Sequence, residues 1–374
     1  MSEVQDVFRE YGEEYMRIQK PLPHVCKAIR EIAACRTAAL GGHTDTCDEC
    51  GHTKQSYNSC RNRHCPKCQA LAKERWILAR EAELLPVPYF HVVFTLPSEL
   101  NELVMRNRKI MLNLLFQASS ETVRELAADP KYLGAEIGLT SILHTWGQNL
   151  TLHPHVHMIV PSGGVTPHGR WRESSKKFFI PVKVMAKLFR GKFLYDLEQS
   201  RQKLEEPLCD DEWKCLMNRL YRKDWYVYCK RPFQSPRSVL QYLGRYTHRV
   251  AISNHRIISL QDRNVTFKWR DYRDSSKEKQ MTLTAHEFMR RFLLHILPPN
   301  FTKIRYYGFL ASGCKRKKLA LCKTLAGTAQ IVLKKLSMAE LMLKLTGRDI
   351  TLCPVCGIGH FVAASGLSPP SDIN

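Results

Sequence analysis

The stretch "CDECGHTKQSYNSCRNRHCPKC" (47–68) limits most tightly what this chain can build. It holds two C-x-x-C knuckles, Cys47/Cys50 and Cys65/Cys68, with fourteen residues between them. Two such knuckles can supply four thiolates to one tetrahedral zinc ion, close to ribbon spacing. The chain has 14 cysteines and opens with "MSEVQDVFRE", which does not read as a secretory signal. A reducing compartment, and metal sites rather than disulfides, are therefore expected. A redox role would require one C-x-x-C in a thioredoxin-like context, and that context is missing. Cys60, His64, His43 and His52 lie in or beside the patch and can complete a second site or replace a knuckle cysteine. Arg61, Arg63 and Lys67 interleave with these ligands and suit contact with a DNA backbone. A third knuckle, Cys353/Cys356, precedes Gly357 and His360, with Cys314 or Cys322 as candidate partners.

The charge balance narrows the partner. With 57 basic and 35 acidic residues the formal net charge is +22. Such a surplus favours a polyanion, most often nucleic acid. No apolar run approaches the ~18 residues of a membrane span. A cytoplasmic, nucleoid-associated bacterial protein is the expectation. At 374 residues the chain has material for two or three domains.

Hydrophobic periodicity predicts two short helices in residues 3–35, broken at "KPLPH", and a helix over 72–84. "YFHVVFTL" (89–96) reads as a strand, residues 98–128 as helical, and 135–146 and 155–160 as two strands with a short polar link. Residues 182–222 return to helical spacing before a strand at 225–233. "SPRSVLQYLGRYTH" (235–248) starts a helix with Ser235 as N-cap and Pro236 at the first position, although Gly244 weakens it. An antiparallel meander is expected over 256–260, 264–269 and 280–284, and "TAHE" fits a capping box. Beyond 311 the chain is basic and helical and ends in a polar, Pro/Ser-containing tail. The reading is α+β around an antiparallel sheet. It has helices and a zinc module in 1–86, a catalytic domain in 87–310 with a helical insertion at 182–222, and a basic tail in 311–374.

"LTLHPHVHMIV" carries the chemistry. On a strand, His155 and His157 leave on one face, with Val156 on the other. Pairing 144 with 155 in a hairpin would add His144 to that face, while His153 and Gln148 remain candidate third ligands. Three neutral imidazoles leave coordination positions open, as in a catalytic site, and the ion can polarise a phosphate oxygen. Tyr242 and Tyr246, four apart, share one helical face, and a phenol can attack phosphorus. Arg245, His248 and Arg249 add cations along that helix, so Tyr246, nearest the run, is expected to act first. There is no P-loop, G-x-S-x-G or H-E-x-x-H.

The stretches "RTAALGGH", "YNSCRNRHCPKCQ", "LHTWGQNLTLHPHVH", "KRPF", "YLGRYTHRVAISN" and "RRFLLHILP" cover most of residues 36–310. In them the chain resembles the HUH-type transposases of rolling-circle insertion sequences, the two-tyrosine group with an amino-terminal zinc-binding domain. The resemblance implies an HUH endonuclease domain with the histidine pair central on an antiparallel sheet and the tyrosine helix packed over it. It implies nicking of single-stranded DNA at element ends through a 5′-phosphotyrosine on Tyr242 or Tyr246, with Mg²⁺ or Mn²⁺. His144 as third ligand rests on the hairpin register and on the similar histidine spacing of relaxases. A plasmid or phage replication initiator or relaxase would use the same chemistry. A zinc-containing DNA-binding regulator would bind without a covalent adduct.

Overall fold

The structure, a computed structural model, describes residues 2–174, 180–206, 208–233, 238–239, 242, 244, 250–272, 274–327 and 336–367. Helices α1 (Val4–Gln19) and α2 (Pro23–Ala34) precede a hairpin, β1 (Gly42–Cys47) and β2 (Thr53–Tyr57). Helix α3 (Pro66–Glu81) leads into β3 (Tyr89–Thr95). Helices α4 (Asn101–Arg106) and α5 (Arg108–Ala128) lead into the hairpin β4 (Gly138–Trp146) and β5 (Leu152–Pro161). A small ribbon, β6 (Gly163–Val165) and β7 (Trp171–Glu173), precedes α6 (Val182–Gln199), α7 (Asp210–Arg222) and β8 (Val227–Phe233). The meander β9 (Ile257–Gln261), β10 (Asn264–Asp271) and β11 (Lys277–Thr284) ends in α8 (Ala285–Leu293). Then come β12 (Ile304–Gly308), α9 (Lys315–Leu325), α10 (Met338–Thr346) and β13 (Phe361–Leu367).

Five strands form the central sheet in the order β12-β4-β5-β3-β8, every neighbouring pair antiparallel. Period-two alternation sorts its side chains. Phe90, Val92, Phe94, Leu143, Val156, Met158 and Val160 join one buried cluster with residues of α5 and α6, where Phe94 meets Phe189 edge-on at 4.9 Å. Tyr89, Ile142 and Ile159 belong to a second cluster with Val239, on the side that also carries His91, His144 and His157. All seven β3 residues are buried, so its sequence shows an almost unbroken apolar run.

The hairpin register is the expected one, with His144 opposite His155 and Ile142 opposite His157. The meander and the Thr284 cap also form, Thr284 Oγ1 accepting from Glu287 N at 3.3 Å. Helix α3 starts six residues earlier than periodicity suggests, because Cys65 takes the N-cap position and Pro66 the first turn. The helical region 98–128 breaks at buried Asn107, whose side chain accepts from Glu205 N at 2.6 Å and donates to Glu205 O at 3.2 Å. Residues 182–222 divide into α6 and α7. Of the helix expected over 235–248, Ser238, Val239, Tyr242 and Gly244 are helical. Ser235, Pro236, Arg245, Tyr246, His248 and Arg249 lie outside the described residues.

Packing crosses the positions 86 and 310 at which domain divisions are expected. Helix α1 packs on α8 and the meander, with Phe8 and Phe292 rings 5.2 Å apart. From the carboxy-terminal region, β13 pairs antiparallel with β1 from Gly42↔Leu367 to Cys47↔Phe361. Among the described residues no helix is long and apolar enough to cross a membrane.

Candidate active site and metal centres

His144, His155 and His157 converge on the face of the central sheet opposite the α5/α6 core. Each offers a ring nitrogen, and these atoms lie within 4.8 Å of one another. Ring centroids are 5.4 Å apart for His144–His155, 4.7 Å for His144–His157 and 4.8 Å for His155–His157. His155 Nδ1 lies 2.6 Å from the carbonyl of His153 and donates to it, so Nε2 carries the lone pair. His153 stands beside His155 but is not one of the converging three, and Gln148 turns away to donate to Tyr272 Oη at 3.1 Å. Three imidazole nitrogens suit a borderline divalent ion.

Periodicity gave no sign of the fourth histidine. His91, on β3, stacks on His157 with 14° between the rings. Its Nε2 is 2.9 Å from His157 Nδ1, and its Nδ1 is 3.1 Å from Tyr242 Oη. His91 is 3% exposed, so this chain of rings is shielded from bulk water. When His157 presents Nε2 to a metal, its Nδ1–H donates to His91 Nε2, and His91 Nδ1–H then donates to the phenol oxygen. The tautomers of His157 and His91 are thus coupled to the phenol.

The tyrosine helix approaches closely for a specific reason. A Cβ on Gly244 would lie 2.3 Å from Ile77 Cδ1 and 3.1 Å from Ile77 Cγ1. Gly244, a helix breaker by propensity, is what lets this helix sit against α3. Val239 is fully buried with Tyr89, Ile142 and Ile159.

The cysteines do not pair as spacing suggests. Cys47 and Cys50 lie with Cys353 and Cys356, whereas Cys65 and Cys68 lie with Cys35 and Cys60. One four-thiolate site thus becomes two, and Cys35, which has no knuckle around it, is a ligand candidate that spacing missed. Cys35–Cys68 and Cys60–Cys68 sulfur distances are both 3.6 Å. A tetrahedral zinc with arms of about 2.3 Å sets its thiolates roughly 3.8 Å apart, so the donors fit. Hydrogen bonds from Cys60 and Cys65 lower the Cys68 thiol from 9.0 to about 2, while bonding to Cys65 and Cys68 raises Cys60. Thiols crowded this closely share protons, and a dication would take all four as thiolates.

Several expected ligands and cations have other employment. His64 Nε2 accepts from Leu297 N at 3.4 Å, and desolvation together with the Arg63 charge keeps the ring neutral. Arg63 donates to three carbonyls, those of Phe301, Leu297 and Pro298, at 2.5, 3.3 and 2.8 Å, and so holds the chain after α8. His43 pairs with Asp45 at 3.4 Å, and His52 lies against Phe361 with 6.2 Å between centroids. Cys314 donates to the carbonyls of Gly308 and Ala311, and Cys322 is buried beside Leu319 and Phe309. Arg61 is exposed, with φ +53°.

Residues 7–96 match the family described as "Transposase zinc-binding domain", and residues 138–318 match one described as "Putative transposase". No solved structure matches the chain. "Putative transposase y4qJ" of Sinorhizobium fredii is 44% identical over 374 residues, covering 96% of this chain and 94% of that one. "Transposase for insertion sequence element IS801" of Pseudomonas savastanoi pv. phaseolicola is 29% identical over 354 residues, covering 91% and 84%. The first family match spans the knuckles of the amino-terminal module, which with the cysteine clusters supports structural zinc. The second spans β4, β5, Tyr242 and the meander. A chain matched almost end to end by such relatives has DNA as its partner and belongs to the IS91/IS801 family of insertion-sequence transposases.

Proposed function

We propose that this transposase nicks and rejoins single-stranded DNA at the ends of an insertion sequence, in a rolling-circle reaction that passes through a 5′-phosphotyrosine. The observation that carries the reading is the chain Tyr242 Oη–His91–His157, at 3.1 and 2.9 Å, which links a phenol to a three-histidine cluster. A five-stranded antiparallel sheet with His155 and His157 on an interior strand, and a tyrosine helix against that face, agrees with the HUH endonuclease arrangement the motifs imply.

His144, His155 and His157 would hold Mg²⁺ or Mn²⁺, the less hard Mn²⁺ suiting three imidazoles better, and the ion when bound would draw charge from a non-bridging oxygen of the scissile phosphate. Tyr242 Oη gives up its proton to solvent and attacks phosphorus, the bond from phosphorus to the 3′-oxygen breaks, the 3′-oxygen takes up a proton from solvent, and the 5′-phosphate stays on the phenol. The His91 N–H bond stabilises the phenolate formed when that proton leaves, which raises the share of ionised nucleophile at a given pH. Tyr246 is proposed as the other nucleophile, since two ends must be cut before they are joined; the 3.1 Å contact of Tyr242 with His91 favours Tyr242, in place of the Tyr246 expected from the basic run, for the first cut. Arg61, Arg245 and Arg249 are proposed to hold flanking phosphates, while structural zinc sits on Cys35, Cys60, Cys65 and Cys68. Action on chromosomal DNA would place the protein at the bacterial nucleoid.

The test is adduct trapping with an end-derived single-stranded oligonucleotide and Mn²⁺. Peptide mapping should find the DNA on Tyr242 or Tyr246, and His157→Ala should form none. An adduct on Tyr226, Tyr228 or Tyr272 would overturn the assignment.

A further inference from the structure

We propose that Cys47, Cys50, Cys353 and Cys356 bind a second zinc ion, one that clasps the two ends of the chain together. Half of this site lies some 300 positions from the other half, beyond residues 7–96 of the matched zinc-binding family. The facing sulfurs stand at zinc-site separations, Cys47–Cys356 at 3.7 Å and Cys50–Cys353 at 3.7 Å. All four lie within 4.8 Å of one another. With zinc arms of about 2.3 Å, a tetrahedral edge is again roughly 3.8 Å.

The two halves are built alike. In "CDECG" the Gly51 N–H donates to Cys47 O at 3.1 Å, and in "CPVCG" the Gly357 N–H donates to Cys353 O at 3.0 Å. Both glycines adopt left-handed φ, +68° and +72°, and neither would meet an atom with an added Cβ. Backbone conformation, not space, therefore demands glycine after each knuckle. The backbone also aims a donor at the sulfur: Gly359 N–H donates to Cys356 Sγ at 3.3 Å. Gly359 itself packs against the site, since a Cβ there would lie 2.5 Å from Cys47 Sγ. Around the sulfurs the two knuckles are cross-tied. Asp48 N donates to His360 O at 3.1 Å, and His360 N donates to Asp48 Oδ1 at 2.7 Å.

Four soft thiolates in a closed tetrahedral set select zinc over the hard magnesium ion, and a full set leaves no position for substrate. The role is structural. The knuckles stand at the end of the β1/β13 ladder, where Cys47 pairs with Phe361, so the ion fixes the register from which β13 runs back along β1. A chain end with little apolar burial is held by metal–ligand bonds instead.

Cysteine alkylation of the wild-type protein, read residue by residue by mass spectrometry beside zinc analysis, tests this. Exposed Cys209 and Cys215 are the internal reference for unprotected thiols. Native protein should carry two zinc ions, with Cys47, Cys50, Cys353 and Cys356 protected together and released together by a strong chelator. Alkylation of Cys353 and Cys356 at the rate of Cys209, or a Cys50–Cys353 disulfide, would overturn the proposal. Cys353→Ser/Cys356→Ser should lose one zinc, keep the Cys35 group protected, and lose amide protection along 361–367. A variant that keeps both ions would also refute it. If the variant misfolds, the wild-type labelling decides. DNA cleavage is not part of the readout, so failure here is separate from failure of the nuclease reading.

Discussion

Replacing His91 tests the coupling between metal and nucleophile most directly. His91→Phe keeps an aromatic ring in a site that is 3% exposed but removes both nitrogen contacts, at 2.9 Å to His157 and 3.1 Å to Tyr242. Two separable losses follow. Losing the outer-shell partner of a ligating histidine typically weakens metal affinity about 10- to 100-fold, which excess Mn²⁺ can overcome. A hydrogen bond to an oxygen that becomes charged is worth about 1.5–3 kcal/mol, so the nicking rate at saturating metal should fall roughly 10- to 100-fold. The pH–rate profile should also move to higher pH, because the phenol loses its donor. Single-turnover nicking of a labelled oligonucleotide over a matrix of Mn²⁺ and pH separates the effects. Binding to the same oligonucleotide should not change, since affinity comes from distributed cations. His91→Gln supplies one donor and should recover part of one loss only. Wild-type rate and pH profile in His91→Phe at saturating Mn²⁺ would refute the reasoning.

Tyr242→Phe/Tyr246→Phe should bind DNA and trap no covalent adduct on denaturing gels, whereas at least one single variant should still trap one. Arg63→Ala removes donors from three carbonyls and should cost about 2 kcal/mol in urea unfolding, with the salt slope of DNA binding unchanged; Arg61→Ala should leave stability alone and lower that slope by about one. His295 is held down to about 3 by burial, while Leu150 O and Thr145 Oγ1 bind its neutral ring at 3.1 and 3.2 Å. Its folded pKa lies below the unfolded value of about 6.5, so its contribution is complete above that value and is lost as pH falls toward 3. Urea unfolding should show about 2 kcal/mol less stability at pH 5 than at 6.5, and His295→Gln should flatten that interval.

What could be read from the sequence follows from how far apart the relevant residues lie along the chain. His155 and His157 share a face by period alone, and a short connection was enough to bring His144 opposite His155. His91 is invisible to such reasoning. It sits 66 positions before His157 on a strand whose neighbours are apolar on both faces, and only the order β4-β5-β3 reveals that they touch. The knuckles show the same division. Spacing identifies Cys47/Cys50, Cys65/Cys68 and Cys353/Cys356 as ligand pairs, but a knuckle closes with whatever the topology delivers. β13 delivers the last knuckle to the first, and the end of α2 delivers Cys35 to the second. Gly244 misled in the other direction, since its low helix propensity conceals the contact with Ile77 that calls for it.

These contacts also give a physical reason for a zinc-binding module beside the proposed nuclease sheet. Cys65 is both a member of the Cys35 cluster and the N-cap of α3. Helix α3 runs from that cluster to the sheet, where Trp76 Nε1 and Arg80 Nη1 donate to Tyr306 Oη on β12 at 3.3 and 2.9 Å. Between those ends, Ile77 supports Gly244 two residues beyond Tyr242. The helix bearing the proposed nucleophile thus leans on a strut whose near end lies in a four-cysteine cluster and whose far end is hydrogen-bonded to an edge strand. A 3.1 Å contact between Tyr242 and His91 depends on the level of that strut, and α3 alone, with no residue below 9% exposure, has little burial to hold it there. Zinc bound at the cluster would supply the rigidity that its packing lacks and would tie the position of the phenol to the amino-terminal module.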